Sequence, residues 1–249
     1  MKGRFGTRGV LVLAAALISF ASSAQAQTTE PSPFVLDLAV GIDSNLNGNI
    51  NSGAIGRVQG LATAILPNPY GDVYGSGLHF KFGGGYVLND ESELRAVFTY
   101  QSADADLVRL GDIGPSSLYG QFTDYKVLSL DLGYRRYVPL PNLRLRVYGE
   151  ATIGAAFVED IDLQMTAPQA NVVFNQTDFY DQSAAVTLGL NFGVLFPVME
   201  QLDLNAQLGL RRVGGLATVD QLIGTGLDEI NDDSARLTLP FVVGVRIRF

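Results

Sequence analysis

The sequence contains no cysteine, no tryptophan and a single histidine. Without cysteine it can form no disulfide, thiolate zinc site, iron–sulfur cluster or cysteine nucleophile, and one histidine excludes a multi-histidine metal site. Charged residues make up only 17% of the 249 residues, and the net charge of −8 disfavours binding to nucleic acid. No apolar run of about 18 residues follows the N-terminal segment, so no transmembrane helix is expected. The missing residue types predict a chain without a cofactor or metal centre, and the 47% of hydrophobic residues excludes a disordered one.

The N-terminus has the pattern of an export signal. A basic start, an apolar run of 11 residues and an A-x-A cleavage pattern follow one another, at Lys2, Arg4, Arg8, Val10 to Phe20 and Ala24 to Ala26. The apolar run is too short to span a bilayer as a helix. We therefore predict a cleaved signal peptide at 1–26, a linker at 27–33 and one domain at 34–249.

Eight segments of that domain alternate with a period of two, as strands do when their two faces meet different surroundings. They are 34–42, 78–88, 93–101, 128–135, 143–157, 184–196, 202–210 and 237–249. One face of each is apolar and uncharged, and the other is rich in glycine with arginine and aspartate. A soluble barrel would place its apolar face inward. A narrow lumen filled by small and paired charged residues, with the apolar face toward lipid, fits this composition better.

The connections alternate in length. Short ones lie at 89–92, 138–142 and 197–201, and long ones at 43–76, 104–125, 158–183 and 213–234. Short periplasmic turns and long extracellular loops are typical of outer-membrane barrels. The prediction is therefore an all-β fold, an eight-stranded antiparallel up-and-down transmembrane β-barrel in the bacterial outer membrane.

The signal peptide, the eight strands and the final Val-Arg-Ile-Arg-Phe together resemble the small outer-membrane barrels of the OmpA, OmpX and Opa type. The resemblance implies that Phe249 is the signal read by the barrel-assembly machinery. The sequence departs from the OmpA type in one respect: it stops at the last strand, so no periplasmic peptidoglycan-binding domain is expected. Pro240 lies within that strand and cannot donate to its ladder, which predicts a local bulge.

The first candidate site is the set of charged residues on the lumen-facing sides of the predicted strands. We predict an ion-pair network there, formed by Arg95, Asp131, Arg135, Arg144, Arg146, Glu150, Asp203, Arg246 and Arg248. Charges inside a barrel must be paired or hydrated, and the interior of an eight-stranded barrel is just filled by side chains. A plugged lumen is therefore favoured over the alternative, a narrow channel for ions or small solutes.

Other candidate chemistry is sparse. His79 is the only imidazole base, but Phe80 and Lys81 follow it and no serine stands beside it, so an interior histidine is expected. The stretch from Asp43 to Ile50 resembles the first half of a calcium loop, yet Ala54 stands where that loop needs a glutamate. The glycines at 83–85 predict close packing inside a narrow barrel.

The long connections are strongly acidic, with only Arg57 and Arg109 opposing many aspartates and glutamates. This predicts either a solvated surface or a surface for divalent cations or extracellular ligands. Segments 161–166 and 171–177 are predicted to pair as a hairpin. At the rim, Lys126 and Arg212 point outward by strand parity, where they either bind lipopolysaccharide phosphates or extend into water.

The favoured function is a non-enzymatic outer-membrane barrel that serves envelope integrity or surface interaction. Its expected partners are outer-membrane lipids with lipopolysaccharide, the assembly machinery and ligands of the acidic loops, with no nucleic acid. The alternatives are the narrow channel and, third, an enzyme that modifies lipid.

Overall fold

The computed structural model describes residues 32–58, 60–140, 144–219, 227–228, 230–231 and 234–249. The predicted signal peptide at 1–26 and residues 27–31 of the predicted linker lie outside the described residues. Among the described residues, no helix is both long and apolar enough to cross a membrane.

The strands and the one α-helix of the described residues are numbered in chain order. They are β1 (Phe34–Asn47), β2 (Asn49–Asn51), β3 (Ala54–Val58), β4 (Leu61–Ile65), β5 (Asn68–Pro69), α1 (Tyr70–Tyr74), β6 (Ser76–Asn89), β7 (Ser92–Ala103), β8 (Leu107–Ile113), β9 (Ser116–Phe122), β10 (Tyr125–Val138), β11 (Arg146–Val158), β12 (Ile161–Ala167), β13 (Val172–Asp181), β14 (Ser183–Met199), β15 (Leu202–Val213), β16 (Ala217–Thr218) and β17 (Arg236–Arg248). A short 3₁₀ helix spans Pro168–Ala170.

Eight of these strands close into a barrel in the order β1, β6, β7, β10, β11, β14, β15 and β17. Every neighbouring pair is antiparallel, and β1 pairs with β17 from Val35 opposite Arg248 to Asn47 opposite Leu237. Each barrel strand lies beside the barrel strands that precede and follow it along the chain. This confirms the predicted eight-stranded antiparallel up-and-down barrel.

The period of two separates the two faces of each barrel strand. On β14, Val186, Leu190 and Phe192 point outward and are more than half exposed, whereas Thr187 and Asn191 between them are buried in the lumen. The outward apolar stretch of this strand covers 186–196. At about 3.3 Å per residue this is about 33 Å along the strand, or about 25 Å along the axis at the usual barrel tilt. The exterior thus carries an apolar belt as tall as a hydrocarbon layer.

The described residues of the long connections are largely strand rather than irregular loop. They form a second sheet of seven strands in the order β16, β13, β12, β9, β8, β4 and β3. The predicted hairpin is confirmed, since β12 pairs with β13 from Ile161 opposite Tyr180 to Ala167 opposite Val172. Breaks of one to three residues separate several of these strands from the barrel strands they continue, as between β11 and β12. The second sheet therefore extends the wall beyond the apolar belt.

One face of the second sheet covers an apolar core at the mouth of the barrel. Its buried side chains include Ile65, Ile113, Leu118, Phe122, Ile161, Leu163, Met165, Phe179 and Tyr180, together with Tyr70, Val73 and Tyr74 of α1. The tyrosine hydroxyls satisfy backbone carbonyls: Tyr70 donates to Ser234 at 3.1 Å, and Tyr180 to Ile50 at 2.7 Å. Burial raises the pKa of the Tyr70 hydroxyl, which keeps it a proton donor.

The predicted bulge at Pro240 is wrong. Pro240 lies opposite Asp43, and the only register shift between β1 and β17 falls at Asn45 and Asn47. On its other side the ladder to β15 is interrupted between Phe241 and Thr238 without a change of register. Pro240 has no backbone N–H to donate, and β15 and β17 lose their pairing beside it while keeping their register.

Candidate functional site in the barrel lumen

Glu150 is the centre of the charged lumen. Its carboxylate pairs with three cations on other strands: Lys81 Nζ at 3.2 Å, Arg95 Nε at 3.0 Å and Arg135 Nη2 at 2.8 Å. Lys81 comes from β6, Arg95 from β7 and Arg135 from β10, so the contacts cross the lumen as well as one strand pair. The side chains of Glu150, Arg95 and Arg135 are fully buried, and that of Lys81 is 9% exposed.

Two further carboxylates surround the same arginines. Asp37 of β1 binds Arg95 Nη1 at 2.6 Å and lies 3.8 Å from Arg135 Nη1. Glu93 of β7 binds Arg95 Nη1 at 2.8 Å and Arg246 Nη2 at 2.6 Å. The hydroxyl of Tyr137 donates to Glu93 at 2.8 Å. Each carboxylate is thereby shared between two cations.

Asp203 of β15 extends the pairing toward the end of the barrel that holds the short turns. It accepts from Arg248 at 2.9 Å and lies 4.0 Å from Arg246. We name the buried charges the ionic cluster, which consists of Asp37, Lys81, Glu93, Arg95, Arg135, Glu150, Asp203 and Arg246. Its four cations match its four carboxylates, as burial of charge requires.

Glycine makes room for this cluster. A side-chain carbon at Gly85 would overlap the carboxylate of Glu93, and one at Gly83 would lie 2.8 Å from Arg95 Nη2. Gly83 and Gly85 are lumen-facing positions of β6, directly opposite β7 residues 97 and 95. The predicted close packing at 83–85 thus holds for Gly83 and Gly85, which pack against the charged side chains of Arg95 and Glu93.

On the short-turn side of the ionic cluster, two aromatic rings narrow the lumen. Tyr137 and Tyr148 are buried and meet edge to face at 6.0 Å. The guanidinium of Arg135 lies 3.8 Å above the Tyr148 ring, and that of Arg146 lies 4.0 Å from the Tyr137 ring. The rings cover the ionic cluster at the short-turn end.

The structure brings some of the sequence-predicted residues together and separates others. Within or beside the ionic cluster lie Arg95, Arg135, Glu150, Asp203, Arg246 and Arg248. Arg146 is at the edge, where it also donates to the Asp90 carbonyl at 3.2 Å. The prediction for Arg144 is wrong, because β11 begins only at Arg146 and the Arg144 side chain is exposed.

Asp131 belongs to a different level of the lumen. It accepts from Arg211 at 3.3 Å and from the hydroxyl of Thr187. Arg211 was missed because β15 runs three residues beyond the predicted strand end. Asp37 and Lys81, by contrast, occupy alternate positions of β1 and β6 that face the lumen. The alternation of the sequence is therefore enough to place both of them there.

His79 and Asp43 share the upper lumen with Arg236. The His79 ring nitrogen Nδ1 lies 3.0 Å from the Gln101 amide, which also contacts Asp43. Arg236 lies 3.9 Å from Asp43 and donates to Asn45 at 2.5 Å. Asp43 is therefore a lumen carboxylate of β1, and residues 43–47 are strand rather than part of a calcium loop.

A small cavity lies between the ionic cluster and the upper level that holds His79, Asp43 and Arg236. It has a volume of about 30 Å³ and is lined by His79, Lys81, Thr99, Asp131, Asn191, Gln207 and Arg211, among others. Such a volume holds about two water molecules. Above it, Arg236 stacks 4.3 Å from the Tyr125 ring at the base of the apolar core. Within the described residues, the lumen is thus filled by the ionic cluster, a polar level and the apolar core.

The two rims carry the remaining candidates. Lys126 is 41% exposed and lies 3.7 Å from Glu159 at the start of the third long connection. Arg212 of β15 is exposed on the outward face. Phe249 follows the end of β17 and is 55% exposed. Among the described residues, no three histidine, aspartate or glutamate side chains converge on a common metal position.

By fold, the chain is similar to solved outer-membrane barrels. Neisserial surface protein A is 14% identical, with 89% of this chain and 100% of that one covered and a TM-score of 0.45. OprG from Pseudomonas aeruginosa is 12% identical, with 88% and 97% covered and a TM-score of 0.46. A major outer membrane protein from Thermus thermophilus is 14% identical, with 87% and 99% covered and a TM-score of 0.47.

At such low identities the likeness concerns the fold alone. No protein-family model matches the chain, and no curated protein matches its sequence.

Proposed function

We propose that this protein is an integral barrel of the bacterial outer membrane that serves envelope integrity or surface interaction and catalyses no reaction. The observation that carries this proposal is the combination of an apolar exterior belt with a lumen filled by paired charges. A belt about 25 Å tall on a closed barrel suits a hydrocarbon layer. Tyr86 and Tyr134, exposed near the short-turn end of the belt, suit its interface with water.

The filled lumen favours a plug over a channel. A hydrated ion would have to separate pairs such as Glu150 with Arg135 at 2.8 Å, and then pass the apolar core at the opposite mouth. Breaking a buried pair is strongly unfavourable. The protein therefore acts through its wall and its outer surface rather than through its interior.

The second sheet supports surface interaction. On β9 and β12 its outer face is polar and carries Tyr119, Gln121, Gln164 and Thr166, whose alternating neighbours are buried. Acidic side chains such as Asp162 and Asp178 add negative charge. An ordered polar face of one dominant charge suits a cationic ligand, and divalent cations are candidate partners.

Planar-bilayer recording tests the plug. The wild-type protein should give no steady conductance, because the ionic cluster and the apolar core fill the lumen in the part of the chain that the structure describes. Arg135→Ala should produce brief openings, since it leaves Glu150 and the Tyr148 ring without a guanidinium that fills the space between them. Arg144→Ala is the matched control, because Arg144 is exposed outside the barrel strands. Stable wild-type channels of uniform conductance would contradict the plug and favour the porin-like alternative.

Lipopolysaccharide is proposed to contact the outer rim at Lys126 and Arg212. Cations cost about 0–1 kcal/mol at the membrane interface against about 2–4 kcal/mol at the midplane, and phosphates there accept charge-assisted hydrogen bonds. Replacing both residues by glutamine should lower the thermal unfolding temperature in lipopolysaccharide-containing bilayers and leave it unchanged in zwitterionic detergent.

The pair with Glu159 provides the control for this experiment. Glu159→Gln frees Lys126 from its neighbour and should leave stability in lipopolysaccharide unchanged or raised. An equal loss for the double variant in both media would show that these residues act within the protein alone.

A further inference from the structure

An open groove lies on the outer surface of the barrel at its short-turn end. It has a volume of about 590 Å³, and its lining combines the apolar residues Val138, Pro139, Val147, Gly149 and Phe192 with Tyr137, Tyr148, Glu91 and Arg136. It spans β10, β11 and β14, with Gly149 beside Arg136 on one neighbouring strand and Phe192 on the other. The volume falls within the range of about 300–1,000 Å³ that is usual for ligand clefts.

Gly149 is the reason the groove is open. A side-chain carbon built at this position would meet no atom nearer than Phe192 Cε1, at 4.0 Å. The lumen glycines Gly83 and Gly85 behave oppositely, because their missing side chains are replaced by Arg95 and Glu93. The space above Gly149 is therefore left for something outside the chain.

A cation borders this apolar space. Arg136 points outward, its side chain is 69% exposed, and its only ion pair among the described residues is with the exposed Glu91 at 3.5 Å. Such exposed pairs contribute little, so the guanidinium remains able to bind a phosphate. Arg136 lies two residues beyond Tyr134, toward the short turn, which places it at the level of lipid headgroups.

We propose that this groove binds an anionic phospholipid of the periplasmic leaflet, with one acyl chain over Gly149 and the phosphate on Arg136. The proposal rests on the outer-membrane location proposed above, in which the short turns face the periplasm. The occupant follows from the position, because the groove opens onto the hydrocarbon layer and its single cationic border lies at headgroup depth. Free inorganic phosphate would use Arg136 but not the apolar lining.

Native mass spectrometry of the detergent-solubilised full chain tests this proposal. With phosphatidylglycerol added, the wild type should retain one lipid about tenfold more strongly than with phosphatidylcholine. Gly149→Leu should abolish retention, because the leucine side chain occupies the space above position 149, where an added side-chain carbon meets no atom nearer than 4.0 Å. Arg136→Gln should retain either lipid equally, since the apolar lining is intact.

Gly84→Leu is the matched control. Gly84 is also outward-facing, on β6, and a side-chain carbon there would meet only the Val35 carbonyl oxygen at 4.0 Å. This variant should retain phosphatidylglycerol like the wild type. Equal retention by wild type and Gly149→Leu, or an equal loss in both leucine variants, would overturn the groove, as would competition by inorganic phosphate alone.

Heat-modifiable gel migration and insertion into vesicles are measured on each variant in parallel. A folded and inserted wild type without preference for phosphatidylglycerol contradicts the groove while leaving the proposed location intact. A folded wild type that does not insert into vesicles contradicts the location itself and, with it, the groove.

Discussion

Replacing Glu150 with alanine should lower the free energy of unfolding by about 3–5 kcal/mol. The loss arises because Lys81, Arg95 and Arg135 are all buried and all bind this one carboxylate. Removing it leaves uncompensated positive charge at the centre of the lumen. Since the chain has no tryptophan, the transition is best followed by circular dichroism during urea titration of the barrel in detergent.

Glu159→Ala is the comparison for that measurement. Glu159 also pairs with a lysine, Lys126 at 3.7 Å, but both side chains are exposed by 41% or more. Exposed pairs of this kind contribute about 0–1 kcal/mol. Equal effects at Glu150 and Glu159 would mean that water reaches the ionic cluster, and the plug would then be wrong.

Deleting Phe249 should leave the chain unfolded in the periplasm, with little or no heat-modifiable protein in outer-membrane fractions. The expectation follows from the resemblance of the last strand to the assembly signal of small outer-membrane barrels. The structure adds that Phe249 is 55% exposed and lies beyond the last residue of β17. Its removal should therefore hardly change the stability of a barrel that has already folded.

Two controls separate assembly from stability. The shortened chain should refold from urea into detergent like the wild type, because that process needs no cellular machinery. Phe241→Ala removes a phenylalanine that lies within β17 and is 46% exposed, and this variant should still assemble in cells. Normal yield of the shortened chain in outer-membrane fractions would contradict the proposed role of Phe249.

The barrel could be predicted from the sequence because every barrel strand separates two different surroundings. An outward position such as Leu190 and an inward one such as Asn191 then differ in hydrophobicity at each step, over most of the strand. The second sheet was largely missed because its strands are short or do not alternate in hydrophobicity: β3 has five residues, and the buried positions of β9 include Ser116 and Gly120. The pair at 161–177 could be predicted because every buried position of β12 is apolar, and it forms β12 and β13 in the structure.

The site was predicted less completely than the fold, for a geometric reason. Parity along one strand tells which side chains face the lumen, and this placed Arg95, Arg135 and Glu150 correctly inside it. It does not tell which of them meet, because Lys81 reaches Glu150 from a strand that is not its neighbour in the sheet. Such contacts depend on the stagger of all eight strands around the barrel.

The second sheet restricts where the outer surface can change in length and sequence during evolution. Its strands bury alternate residues such as Leu118 and Leu163, so an insertion of one residue within a strand would turn the buried row outward. The hairpin tips carry no such row, and Gly114 and Asn171 there adopt left-handed backbone with φ of 55° and 52°. Lengthening and rapid substitution should therefore concentrate at these tips, leaving the wall between them nearly constant in length.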